Sequence, residues 1–118
     1  MTNKTEKPWG YELLIVANER YALKDIFIKA GTRSSLQYHT KKLETILLLS
    51  GRLTLEWGPG VGAYEQKDYA AGESYSVPPG THHRVTALED TRLIEVSTPD
   101  LDDVVRVQDD YGRASANR

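Results

Sequence analysis

The sequence predicts an all-β fold, a small antiparallel barrel of about eight or more strands in jelly-roll order. Two observations lead there: apolar residues recur with a period of two rather than the helical period, and turn residues interrupt them at short, regular intervals. A third, the length of 118 residues, limits the chain to a single domain, 1–118, with room for one core.

The runs 11–16, 21–28, 44–49, 52–57, 73–77, 83–88 and 91–97 alternate or are apolar at strand length, and each reads as a strand. Between them stand Gly31, Ser50-Gly51, Gly58-Pro59-Gly60, Ala71-Gly72, Pro78-Pro79-Gly80 and Glu89-Asp90, residues that favour turns and leave little room for helix. The segment 100–106 reads either as a short helical turn or as a closing strand, and 1–7 and 114–118 read as loose ends. Trp9 and Trp57 sit in or beside strand runs and are expected to pack rather than to serve as sugar platforms.

Composition excludes several classes of function. Fifteen basic and seventeen acidic residues leave a net charge of −2, which points to neither a nucleic-acid surface nor an anionic membrane, so small-molecule partners are expected. With no cysteine the chain has neither a disulfide framework nor a thiolate zinc site, and any metal must be held by His, carboxylate and amide groups. The N-terminus is polar and no run approaches membrane-spanning length, so a cytoplasmic location is expected.

The stretch between Gly31 and Gly51 concentrates the chemistry. Gln37 and His39 are two apart, so an extended strand sends both side chains to one face, and Glu44 returns to that face from the next strand after a short turn. An amide oxygen, an imidazole and a carboxylate together suit Zn²⁺ or another divalent first-row metal. Far along the chain, the turn Pro78-Pro79-Gly80 delivers His82, His83 and Arg84. His83 reads as the fourth ligand, while His82, its neighbour in an extended segment, points to the opposite face, either behind the ligands or into solvent. Taken alone His39 is an ordinary strand histidine; the constellation at matched positions makes a metal site of it.

These two runs resemble the paired motifs of the cupin superfamily, with Gln37 where most cupins carry the first histidine of a His-x-His pair and Ala87 where the second motif often ends in Asn. Ser35-Leu36-Gln37-Tyr38-His39 is similar to the Ser-Leu-Gln-x-His run of the phosphomannose isomerase branch. Lys7-Pro8-Trp9-Gly10-Tyr11-Glu12 resembles the opening of the C-terminal domain of type II phosphomannose isomerase. Leu93-Ile94-Glu95-Val96, Asp102-Asp103-Val104-Val105-Arg106 and the run from Asp109 and Asp110 to Arg113 resemble that domain's closing segment.

The resemblance implies a double-stranded β-helix fold, a Gln37, His39, Glu44, His83 ligand set for a divalent ion (Zn first, with Mn, Ni, Fe or Co as alternatives) and aldose–ketose interconversion through a cis-enediolate. It places Arg84 as an anion clamp near the metal, against the alternative of a surface arginine paired with a carboxylate. Lys41 and Lys42 lie in the turn between the two ligand strands, either at the mouth of the site or simply solvated. The type II proteins carry a nucleotide-sugar transferase domain in front of this segment, of which nothing is present here, so guanylyl transfer is not expected. One departure limits the likeness. Where the isomerase branch reads His-His-His-Arg-Ala-Glu-His-Trp, this chain has His39-Thr40-Lys41-Lys42-Leu43-Glu44-Thr45-Ile46, which keeps the ligands and loses the extra histidines.

Three functions follow. The first is a metal-dependent sugar-phosphate isomerase of the mannose-6-phosphate isomerase type. The second is a non-catalytic module that binds a sugar or nucleotide sugar in polysaccharide metabolism. The third, a non-haem iron oxygenase, is weakened by Gln37 in place of a histidine. A homodimer is expected because the run Ile46-Leu47-Leu48-Leu49 is more apolar than one buried sheet face requires.

Overall fold

The computed structural model describes residues 3–60 and 62–113. The predicted alternation becomes strands β2 (Gly10–Ala17), β3 (Ala22–Ile28), β5 (Glu44–Ser50), β6 (Arg52–Gly58), β8 (Ser74–Val77), β9 (His82–Ala87) and β10 (Thr91–Ser97). Four more strands complete the fold: β1 (Asn3–Lys7), β4 (Leu36–Tyr38), β7 (Glu65–Ala70) and β11 (Val105–Gln108). They form two antiparallel sheets, ordered β1-β2-β3-β10-β5-β8 and β11-β4-β9-β6-β7. The second sheet lies over the first as in a jelly roll. Among the described residues no helix is long and apolar enough to cross a membrane.

The sheets hold the core between them because each strand turns alternate residues inward. Ile26, Ile28, Ile46, Leu48 and Leu93 come from the first sheet, Leu53, Leu55 and Ala87 from the second, and Trp9 closes one end. Leu48 and Leu53 are fully buried, and each such side chain contributes about 1.5–3 kcal/mol. Trp57 packs partly buried against this cluster, in keeping with a packing role, although it also borders a separate cleft with Tyr69 and Tyr75. Two glycines fix close approaches. A Cβ on Gly10 would lie 1.9 Å from the Phe27 carbonyl oxygen, and one on Gly51, at φ 88°, 2.4 Å from that of Asp90.

The chain ends depart from the sequence reading. Residues 3–7, expected to be loose, form β1, paired in register with β2 from Asn3↔Leu14 to Lys7↔Gly10. Its polar side chains carry no apolar alternation because both faces of this edge strand are wet, and the Lys4 ammonium lies over the Tyr11 ring. β7 escaped notice for the same reason, since its residues are mostly exposed. Of the two readings left open for 100–106, the closing strand holds: Leu101 and Asp102 make a turn and β11 begins at Val105. Residues 1–2 and 114–118 lie outside the described residues.

Candidate metal centre

Gln37 sits mid-strand in β4 and pairs in register with His83 of β9. Both therefore leave the inner face of the second sheet side by side. His39 follows β4 in extended chain, two residues beyond Gln37, and is likewise buried. Glu44 opens β5 in the opposite sheet and turns inward, 6% exposed. One donor atom from each of His39, Glu44 and His83 lies within 4.8 Å of the others, close enough for one ion. His39 Nε2 is 3.3 Å from Glu44 Oε1, and His83 Nε2 is 3.8 Å from Oε2.

Backbone carbonyls orient both imidazoles. His39 Nδ1 lies 2.5 Å from the Asp103 carbonyl oxygen and His83 Nδ1 lies 2.9 Å from that of Thr81. A carbonyl only accepts, so each Nδ1 carries a proton, and in its neutral form each ring turns the Nε2 lone pair toward Glu44. Both Nε2 atoms are buried without a hydrogen-bond partner among the described residues. Orphaned buried acceptors are costly, and a divalent ion between two imidazole nitrogens and a carboxylate is the group that would satisfy them. The donor set thus fits a metal. Gln37 Oε1 accepts a hydrogen bond from Ser35 Oγ at 2.6 Å, which fixes the amide at the wall of the same cavity.

Asp103 organises the turn between the two ligand strands. Its carboxylate accepts the N–H groups of Thr40, Lys41 and Lys42 at 3.0, 2.6 and 2.9 Å and the Thr40 hydroxyl at 2.8 Å. Burial works against the charge, but these bonds together outweigh it and hold the Asp103 carboxyl well below the usual carboxylate range.

The turn delivers Lys42 inward. Its ammonium is buried, 3.3 Å from Glu44 Oε1 and 3.0 Å from Glu95 Oε2. Burial works against its charge, but Glu95 and Glu44 hold its pKa above the ordinary value. Glu95 is pushed up by burial and by the neighbouring Glu44. For Glu44 burial is outweighed by His39, Lys42 and His83, which bring it down to about 2. His39 is raised, because Glu44 and the Asp103 carbonyl outweigh burial, whereas burial lowers His83. Gln37, His39, Glu44 and the Lys42–Glu95 pair line a cavity of about 110 Å³, and a more apolar one of about 90 Å³, lined by His83 with Trp9, Ile26, Ile28 and Tyr75, shares Gln37, Glu44 and Glu95 with it.

Gln37, His39, Glu44, His83 and Lys42 are thus brought together, while the other proposed site residues are not. Arg84 follows His83 and so faces the outside of the second sheet, where the 33–35 segment and the C-terminal segment cover it. Its guanidinium donates to the carbonyl oxygens of Ser34 (3.0 Å) and Gln108 (3.3 Å) and lies 3.9 Å from Asp110. Lys41 is exposed. His82 faces outward as expected and stacks on Tyr38, ring centroids 4.6 Å apart. Glu95 and Asp103 were missed as site residues. Glu95 shares a face with Leu93 and Ser97 on an alternating strand, which marks it as an inward charge. Nothing local marks Asp103.

A family model described as a cupin domain matches residues 26–97. The xanthan biosynthesis protein XanB of Xanthomonas campestris pv. campestris (strain B100) is 31% identical over 115 residues, covering 93% of this chain and 24% of that protein. The mannose-1-phosphate guanylyltransferase ManC of Salmonella typhimurium (strain LT2) is 35% identical over 123 residues, 96% of this chain and 24% of that protein. The chain spans about a quarter of the length of these relatives. Among solved structures, oxalate decarboxylase from Bacillus subtilis superposes with a TM-score of 0.79 at 19% identity, over 90% of this chain and 30% of that one. KdgF from Halomonas sp. gives 0.72 at 17%, over 82% and 86%. These structural likenesses are ones of fold. With two antiparallel sheets in jelly-roll order, a His39, Glu44, His83 cluster that could hold a metal ion and a family match over most of the barrel, the chain belongs to the cupin family.

Proposed function

We propose that this chain is a metal-dependent sugar-phosphate isomerase of the mannose-6-phosphate isomerase type, acting in the cytoplasm. The observation that carries the reading is the pairing of two kinds of group around Glu44: the orphaned Nε2 atoms that face it, and a buried Lys42–Glu95 ion pair beside it. Gln37, His39, Glu44 and His83 would hold the ion, with Zn²⁺ first among the candidates for such a donor set. A divalent ion there would supply Lewis acidity toward the carbonyl and hydroxyl oxygens of an open-chain sugar.

The chain's own residues supply the rest. Lys42 presents an ammonium that can donate to a sugar oxygen as charge develops there, and Glu95 beside it is a carboxylate able to take or return a proton. Asp103 keeps the turn that carries Lys42 in place. The names of the relatives, which include mannose-1-phosphate guanylyltransferases and a xanthan biosynthesis protein, support a sugar ligand.

A second reading is a cupin that binds a sugar or nucleotide sugar without turning it over. It is favoured by the hydroxyls that stand where the resembled run has histidines. Thr40 is committed to Asp103 and Thr45 to Ser76, and neither is free for proton transfer. Metal analysis of protein purified without added metal, followed by assay with fructose 6-phosphate and mannose 6-phosphate, separates the two: turnover supports the isomerase, and tight binding without turnover supports the module.

The reading includes a homodimer. The outer face of the first sheet exposes Leu47 and Val96, at 41% and 43%, on strands that pair directly. Apolar side chains grouped this way on a small domain suit a self-complementary contact.

A further inference from the structure

The inner face of the second sheet carries a row of side chains set by register alone. Trp57 of β6 pairs with His83 of β9, His83 with Gln37 of β4, and Gln37 with Arg106 of β11. Residues directly opposite one another leave the same face, so Arg106 lies beside Gln37 and reaches the same cavity. Neighbouring strands lie about 4.8 Å apart, which puts the Arg106 backbone about 10 Å from that of His83. An extended six-carbon chain with a terminal phosphate spans a distance of this kind.

Other charges around the cavity favour an anion at that end. Five basic side chains line it against four carboxylates, and a divalent ion at the histidines would add two positive charges. Most of these cations also have partners within the chain: Lys24 pairs with Glu12 at 3.0 Å, Lys42 with Glu44 and Glu95, and Arg113 with Asp109 at 2.9 Å, and Arg106 too is engaged. Lys7, the last residue of β1, lines the same cavity, and its ammonium has no ion-pair partner among the described residues.

We propose that Arg106 and Lys7 form the anion end of the site and hold the phosphate monoester of a linear sugar phosphate whose other end meets the His39, Glu44, His83 cluster. The proposal rests on the isomerase reading for the sugar and on register and cavity lining for the phosphate. A forked guanidinium and a compact ammonium on separate strands suit a dianion with three equivalent oxygens better than a single carboxylate. The role assigned from sequence to Arg84 thus passes to a residue on the correct face.

The test is calorimetric titration of the metal-loaded chain with fructose 6-phosphate, fructose and inorganic phosphate, and of the metal-free chain with inorganic phosphate. Arg106→Gln should weaken fructose 6-phosphate and inorganic phosphate by about tenfold to a hundredfold while leaving fructose unchanged. Lys7→Gln, on an exposed edge strand where folding is not at stake, should weaken them in the same direction by less. Arg84→Gln should change none of the three. Unaltered phosphate affinity in folded, fully metallated Arg106→Gln and Lys7→Gln proteins overturns the proposal, as does failure of the unaltered chain to bind phosphate or fructose 6-phosphate. Arg106-dependent phosphate binding without isomerase turnover keeps the anion end and removes the isomerase. Turnover with an Arg106-independent KM for fructose 6-phosphate does the reverse.

Discussion

His39 and Asp103 are joined twice. The imidazole Nδ1–H donates to the Asp103 carbonyl, and the Asp103 carboxylate gathers the three backbone N–H groups that follow His39. One residue from the C-terminal segment thereby sets the tautomer of a proposed metal ligand and the shape of the turn that brings in Lys42 and Glu44. Coupling of this kind predicts that metal affinity depends on a side chain that never touches the metal.

Asp103→Ala should lower zinc affinity by about tenfold to a hundredfold, the usual effect of losing an outer partner of a ligand. The backbone carbonyl to His39 survives the substitution, so the loss comes from the freed turn. The Asp103 side chain is only partly buried, so losing its hydrogen bonds should cost the fold about 1–3 kcal/mol and leave it folded. Competition with a chromophoric chelator measures the affinity, and an unchanged value would leave Asp103 with a purely structural part.

The pH dependence of the metal-free chain follows from Glu44 and His39. Glu44 has a folded pKa depressed to about 2, so its contribution is present above the unfolded value near 4.5 and is lost as pH falls toward 2. His39 is raised, so its contribution is present below the unfolded value and is lost as pH rises through its higher folded value. The metal-free chain should therefore be most stable between these limits. A bound ion needs His39 neutral, which reverses the upper limb and makes metal stabilise the fold more as pH rises past neutrality. Thermal unfolding from pH 2 to 9, with and without zinc, tests this, and Glu44→Gln should flatten the acid limb.

Much of this was legible in the sequence, for identifiable reasons. Strands with one buried face, such as β3, β5 and β10, alternate clearly, and the shared face of Gln37 and His39 was readable because period-two geometry dictates it. β1 and β7 were not legible, since edge strands with two wet faces have no pattern to read. Arg84 stayed open between an anion clamp and a surface pair because its partners, Ser34 and Gln108, are 50 and 24 residues away and nothing local announces them. Lys42 stayed open between the mouth of the site and solvent because Glu95, which meets it, comes from a distant strand.

His82 and His83 should separate completely. His83→Ala removes a proposed ligand and should strip the metal while the barrel stays folded. His82→Ala, which loses only its stack on Tyr38, should keep the metal. Metal content after dialysis decides it, and equal loss in both would contradict the faces to which the two rings point.

A dimer through the first sheet predicts that Leu47→Lys and Val96→Lys together give monomers with an unchanged circular dichroism spectrum. Both positions are on the outer face, so neither change disturbs the core. Sedimentation velocity distinguishes the outcomes, and an unaltered chain that is already monomeric would remove the interface.

Lys42 and Arg84 carry opposite expectations. Lys42 places its ammonium between two buried carboxylates at the ligand cluster, so Lys42→Gln withdraws a donor from the reacting region while leaving every proposed metal ligand in place. Loss of a positioned acid or base typically costs about a hundredfold to ten-thousandfold in rate, and turnover should fall by at least the lower figure. Metal content should hold, because Glu44 loses a competitor for its oxygen. Arg84→Lys keeps the charge but loses the geometry of two hydrogen bonds to backbone carbonyls, worth about 1 kcal/mol each, on the far side of the sheet. Its expected effect is a lower midpoint in urea with kcat and KM unchanged. Steady-state kinetics at matched metal content, read beside urea unfolding of both variants, would show whether the cation that matters faces the cavity. Loss of turnover in Arg84→Lys with full activity in Lys42→Gln would place the chemistry on the opposite face of the sheet and undo this assignment.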